Sequence, residues 1–128
     1  MKEWRWIGEP LILAIHEAQL AEHGGGIGLR DPALLSSALA CPRNRAAYGD
    51  ADAFDLAAAY AFGVTKNHPF LDGNKRTAFV VATVFLLDHG FELSVADAEI
   101  VRAVVALSDG SMGEADFAAW QRSHGSPI

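Results

Sequence analysis

The eleven residues from Lys66 to Arg76, KNHPFLDGNKR, place a histidine, a carboxylate, a glycine and three cations between two strongly apolar segments. His68, Asp72, Lys75 and Arg76 are of the types that move protons, hold divalent cations and bind phosphate. If a helix begins at Asn74, the N–H groups of its first turn lack partners within the helix, and the macrodipole puts partial positive charge there. Lys75 and Arg76 then oppose the dipole by about 0.3–1 kcal/mol each, where a sequence shaped only for stability would carry Asp or Glu. A bound anion removes the conflict. Gly73 lets the backbone approach a ligand, the N–H groups from Asn74 onward point outward, and the two cations add full charge, so the stretch reads as a phosphate site.

Asp72 would repel a bare phosphate. With a divalent cation between them it becomes a ligand, since Mg²⁺ commonly bridges one protein carboxylate and several phosphate oxygens. The combination points to a nucleotide polyphosphate bound with Mg²⁺. His68, beside an activated phosphate, is the candidate general base, a role worth about 10²–10⁴-fold in rate. Phe70 should point into the core and anchor the loop. Lys66, closing the preceding helix, is either a further phosphate contact or a solvated helix-end lysine. Taken singly, each residue has an ordinary reading as turn or solvated surface. Their compression into one loop, at a helix start whose polarity they violate, lifts them together.

The elements that must position this loop are helical. Gly8-Glu9-Pro10 opens a helix to about His23, stopped by Gly24-Gly25-Gly26, and Asp31 caps a short one from Pro32 to Leu39 or Ala40, ended by Cys41-Pro42. Residues 42–50, PRNRAAYGD, have no clear period and read as an exposed loop with a short extended piece. Asp52 caps a helix rich in small residues that continues to about Lys66 and should be largely buried. Thr77 to Leu87 is apolar nearly all round, as for an enclosed helix. Phe91–Val95 reads as a short extended piece, Asp97 to about Ser108 and Gly113 to His124 as two further helices. The expectation is an all-α domain with two central helices, one domain over residues 1–128, without repeats or linkers.

A net charge of −6 argues against a nucleic-acid partner. The single cysteine, Cys41, excludes an intrachain disulfide and multi-cysteine zinc, and reads as a small buried residue. The start MKEWRWIGEP lacks the features of a signal peptide, and no segment is apolar enough to span a membrane. A cytoplasmic protein is the expectation.

The stretch resembles the signature of the Fic/Doc family, H-x-F-x-[DE]-G-N-G-R-x-x-R, through His68, Phe70, Asp72, Gly73, Asn74 and Arg76. IHEAQLAEHGG, GLRDPALLSSALACP and the motif helix extend the likeness nearly end to end, to the compact death-on-curing toxin branch. The resemblance implies an all-α Fic-type domain that holds a nucleoside triphosphate with Mg²⁺ and modifies a protein hydroxyl. By position, it implies His68 as base, Asp72 as metal ligand, Gly73, Asn74, Lys75 and Arg76 as phosphate cradle, and Phe70 as buried anchor. Residues 43–50 fall where the family has a flap that aligns the target, which nominates Arg43, Arg45 and Tyr48.

Two departures from that signature matter. Lys75 stands where the longer form has glycine, and Phe79 where it has its second arginine. Members with both usual residues resemble adenylyltransferases, whereas the lysine-containing branch is associated with phosphorylation of elongation factor Tu. Lys75 would crowd a β-phosphate in the first orientation and add charge for a γ-phosphoryl group in the second. The expectation is therefore a kinase using ATP, with adenylyl transfer as the alternative. No segment matches [ST]-x-x-x-E-[GN], the family's inhibitory helix, which fits a toxin neutralised by a separate antitoxin whose segment folds into an apolar groove.

Two readings of other classes compete. A metal phosphohydrolase built on His16, His23, His68, Asp88 and His89 has poor spacing, because Asp88-His89 reverses the order such helical hydrolases use. A catalytically inactive helical binding module is opposed by the joint presence of His68, Asp72 and Arg76. Phe54, Phe62, Phe85 and Trp120 read as core rather than as a cofactor site.

Overall fold

The computed structural model describes residues 3–128; Met1 and Lys2, the start of the stretch read for a signal peptide, lie outside them. Helix α1 (Glu9–His23) starts behind Gly8 with Pro10 in its first turn and stops at Gly24, whose N–H donates to the Leu20 carbonyl at 2.7 Å. Only one stripe of α1 is buried, through Ile12, Ile15 and His16. Helix α2 (Pro32–Tyr48) is capped by the Asp31 carboxylate, which accepts from Ala33 N–H at 2.9 Å.

α2 corrects the sequence reading: it does not end at Cys41-Pro42 but runs through Pro42 to Tyr48, so residues 42–48 form no loop. Proline lacks the N–H that would bond the Ala38 carbonyl and crowds it, normally enough to break a helix. Here tertiary packing overrides the local penalty. Pro42 is buried, and the Ala38 carbonyl lies so close to Gly63 of the next helix that a Cβ there would sit 2.7 Å from its oxygen. Cys41 is half-buried rather than fully enclosed, its thiol donating weakly to the Ser37 carbonyl at 3.4 Å, and burial pushes its pKa up.

Helix α3 (Ala53–Asn67) is the most enclosed element, with only Asp55, Phe62, Lys66 and Asn67 less than buried. Its alanines and Gly63 admit α2, α4, α5 and α6 around it. Helix α4 (Asn74–Asp88) buries Thr77, Ala78, Val81, Ala82, Phe85 and Leu86. It is less enclosed than its composition suggests, since Phe79, Val80, Thr83 and Val84 are half-buried and Leu87 is exposed. Phe54 and Phe85 lie in the core, with Phe62 and Trp120 packed at its edge.

Beyond α4, Gly90 turns the chain into β1 (Phe91–Leu93), followed by α5 (Asp97–Asp109) and α6 (Glu114–His124). The chain closes with β2 (Gly125–Pro127), a strand not anticipated from sequence, antiparallel to β1 with Glu92 opposite Ser126. Among the described residues this is the only sheet, so the architecture is all-α, with α3 and α4 at its centre. No helix among them is long and apolar enough to cross a membrane.

Candidate active site

The quoted stretch bridges α3 and α4. Helix α3 ends at His68, which takes a left-handed conformation (φ 48°, ψ 58°) with its N–H on the Val64 carbonyl at 3.1 Å. The next residues cannot extend a helix because Pro69 disfavours it, and the chain crosses to Gly73, the residue before α4, at φ 78°. That value favours glycine. The loop between is held against residues 28–31: Arg30 N–H donates to the Pro69 carbonyl at 2.7 Å, Leu71 N–H donates to Gly28 at 3.1 Å, and Leu29 and Phe70 form a β-bridge.

Phe70 is buried, 1% exposed. Asn74 staples it: its side-chain oxygen accepts from Phe70 N–H at 3.1 Å and its amide donates to the Phe70 carbonyl at 2.9 Å. The same amide lies 3.4 Å from His68 Nδ1, the long limit of a hydrogen bond. The amide can only donate, so in this contact His68 Nδ1 accepts and the ring proton sits on Nε2. Asn74 thus spends its side chain on the loop and leaves its backbone N–H for a ligand.

Asp72 is exposed, and each of its oxygens accepts one backbone N–H, Oδ1 from Gly73 at 2.8 Å and Oδ2 from Gly26 at 3.3 Å. These two donors, Gly73 first, hold its carboxyl below the usual carboxylate range, with smaller help from Arg76 and His16. A carboxylate that stays charged and keeps lone pairs on both oxygens fits Mg²⁺, an ion that needs one such ligand and fills its shell with phosphate oxygens and water. Among the described residues no three His, Cys, Asp or Glu side chains group as a metal cage.

His68, Leu71, Asp72, Gly73, Asn74, Lys75 and Arg76 line a cleft of about 260 Å³ over the α4 N-terminus. No side chain caps that terminus and its first turn has no acidic residue; Asp72 is the one carboxylate lining the cleft, set against the helix N–H groups, the exposed Lys75 and Arg76. Arg76 is half-buried; its Nη2 donates to the Gly24 carbonyl at 3.2 Å, while its buried Nε has no partner. An imidazole, a charged carboxylate and an uncapped helix N-terminus flanked by two cations lie within one loop. Groups of these types can accept a proton and hold phosphate charge.

A family model described as Fic/DOC family matches residues 6–86. The chain belongs to that family. It is 30% identical over 115 residues, 86% of this chain and 91% of the relative, to "Protein kinase doc" of Escherichia phage P1. It is 37% identical over 98 residues, 73% of each chain, to "Toxin Doc" of Mycolicibacterium smegmatis.

Within this family frame, four nominated residues lie away from the cleft. Lys66 turns to α5, donating to the Ser108 carbonyl at 3.3 Å. Arg43, Arg45 and Tyr48 stand on the last turns of α2 rather than on a loop, and do not line the cleft. Arg43 lies over the Trp6 ring at 5.1 Å, Arg45 donates to the Asp50 carbonyl at 3.0 Å, and Tyr48 is exposed.

Sequence reasoning placed His16 only in the rival hydrolase reading, and missed Arg30 and the glycine turn as parts of the site. His16 is buried, stacks on Phe70 at 3.7 Å and donates through Nε2 to the Asp72 carbonyl at 2.8 Å. The Gly24–Gly26 turn, read only as a helix stop, provides the Gly26 N–H for Asp72 and the Gly24 carbonyl for Arg76. A lone helical histidine carries no signal of its partner, and neither does a glycine run.

Proposed function

We propose that this protein is the toxin of a toxin–antitoxin pair and a protein kinase that transfers the γ-phosphate of ATP to a Ser or Thr hydroxyl of a translation factor. The observation that carries the reading is Lys75, exposed beside the uncapped α4 N-terminus in the cleft that His68 and Asp72 share. A cation there adds charge for a terminal phosphoryl group beyond what the backbone N–H groups offer. The name of the phage P1 relative, a protein kinase, and that of the mycobacterial relative, a toxin, point the same way.

In this reading His68 accepts the proton of the attacking hydroxyl, whose oxygen forms a bond to the γ-phosphorus as the bond to the β,γ-bridging oxygen breaks and ADP leaves. The α4 N–H groups, Lys75 and Arg76 hold the phosphate chain, and Phe70 with Asn74 keeps the loop rigid beneath it. Asp72 would hold Mg²⁺, which supplies neutralisation of phosphate charge when bound. Resemblance nominates elongation factor Tu as the acceptor, and with it a cytoplasmic site of action and arrest of translation. An antitoxin would restrain the protein by laying a helix in an apolar groove.

Incubation with a cell extract, Mg²⁺ and ATP labelled at the α- or the γ-phosphate tests the proposal. Label entering protein only from the γ position is the expected result. Transfer only from the α position would make the protein an adenylyltransferase, and transfer from neither would leave a binding module.

A further inference from the structure

His68 is the only residue other than glycine with positive φ among the described residues. A left-handed backbone is unfavourable for a residue that carries a side chain, and such a conformation persists only where surrounding contacts over-determine it. The N–H of His68 is held by the Val64 carbonyl, an ordinary left-handed helix end. Its carbonyl is held by something less ordinary. Arg30 Nε donates to the His68 carbonyl at 2.8 Å, and Nη2 of the same guanidinium donates to the Asn67 carbonyl at 3.0 Å. A planar fork thus satisfies two consecutive carbonyls at the end of α3, where the helix dipole favours a cation.

We propose that Arg30 is a positioning residue: by gripping the Asn67 and His68 carbonyls it fixes the left-handed turn at His68 and so aims the imidazole into the cleft. The functional half of this inference rests on the reading of His68 as general base; the conformational half does not. The backbone of Arg30 already ties the loop through the Pro69 carbonyl, and that bond survives any substitution of the side chain. Removing the guanidinium therefore frees the turn at His68 while the strand-like clamp of residues 28–31 stays in place. Lysine cannot replace it, because a single ammonium on a flexible stem does not reproduce the fork.

The experiment compares the native protein with Arg30→Met and Arg30→Lys. NMR reads the His68 Cα and Cβ shifts and its HN–Hα coupling, and kinetics read transfer of labelled phosphate from ATP into extract protein below the melting temperature of each variant. Arg30→Met is expected to move the His68 resonances away from left-handed values and to lower kcat about 10²-fold at unchanged KM for ATP. Guanidinium ion at sub-denaturing concentration should restore both, and Arg30→Lys should regain little. Left-handed His68 resonances in Arg30→Met, an undiminished kcat, or a loss that guanidinium does not reverse would each overturn the proposal. Failure of the base reading looks different: His68→Ala would then turn over normally, while the resonances of Arg30→Met would still report the turn.

Discussion

The starts of α3 and α4, the two central helices, are built on opposite principles. At α3 the Asp52 carboxylate accepts from Asp55 N–H at 2.9 Å while the Asp55 carboxylate accepts from Asp52 N–H, also at 2.9 Å. This capping box puts negative charge at the positive end of the dipole. Arg122 from α6 then closes on the pair, reaching Asp52 twice at 2.9 Å and Asp55 at 3.2 Å. At α4 there is a left-handed glycine, no side-chain cap, no acidic residue in the first turn and two cations. One helix start is complete in itself. The other sets two cations against a single exposed carboxylate, Asp72, just before the helix, and the proposed phosphate site is what would balance them.

That contrast can be broken most forcefully at His68, the proposed base. His68→Ala is expected to reduce labelled-phosphate transfer about 10²–10⁴-fold with little change in melting temperature, since the ring is exposed and its one side-chain contact is long. A variant that keeps near-normal turnover would remove His68 from the chemistry.

At the other helix start the expected signs reverse. Asp52→Ala should cost about 1 kcal/mol of stability, read by denaturant unfolding, and leave kcat intact. Burial raises the Asp52 pKa, but the Arg122 side chain and then the Asp55 N–H outweigh it, so the folded value lies below the ordinary one. Its contribution is therefore present above the unfolded carboxylate pKa, about 3.9, and is lost as pH falls through the lower folded value. Unfolding curves of the native protein and Asp52→Ala should converge as pH drops through that window; a gap that holds or widens in acid would refute the assignment.

The smallest effect sharpens the comparison most. Lys75→Glu gives α4 the acidic first turn that α3 has, and should raise the stability of the ligand-free protein by about 0.3–1 kcal/mol while weakening ATP binding, measured by calorimetry. Lower stability, or equal affinity, would mean that the α4 start is not an anion site.

The same two regions show what a sequence discloses. The start of α3 was legible because a cap is local: Asp52 announces its helix by residue type and position. The start of α4 was legible through a local contradiction, cations at the positive end of a dipole. The contacts that steady the loop were not legible, because Arg30 meets His68 across 38 positions and His16 meets Asp72 across 56. No periodicity records either. Pro42 misled because its local penalty is real, but a helix crossing at Gly63 overrode it. Strand β2 was missed for a related reason: GSP has no strand character of its own and is extended by pairing with β1.

The crossing at Gly63 has a mechanical consequence. The Ala38 carbonyl and the Cys41 sulfur press on Gly63 so closely that no side chain fits without displacement, and this pins α3 against α2 in both rotation and advance. His68 rides on the same rod five residues further on, about 7.5 Å along the axis at 1.5 Å per residue. The end of α3 from which the His68 turn departs is thus seated inside the molecule, at a crossing where even a single methyl would force the two helices to shift.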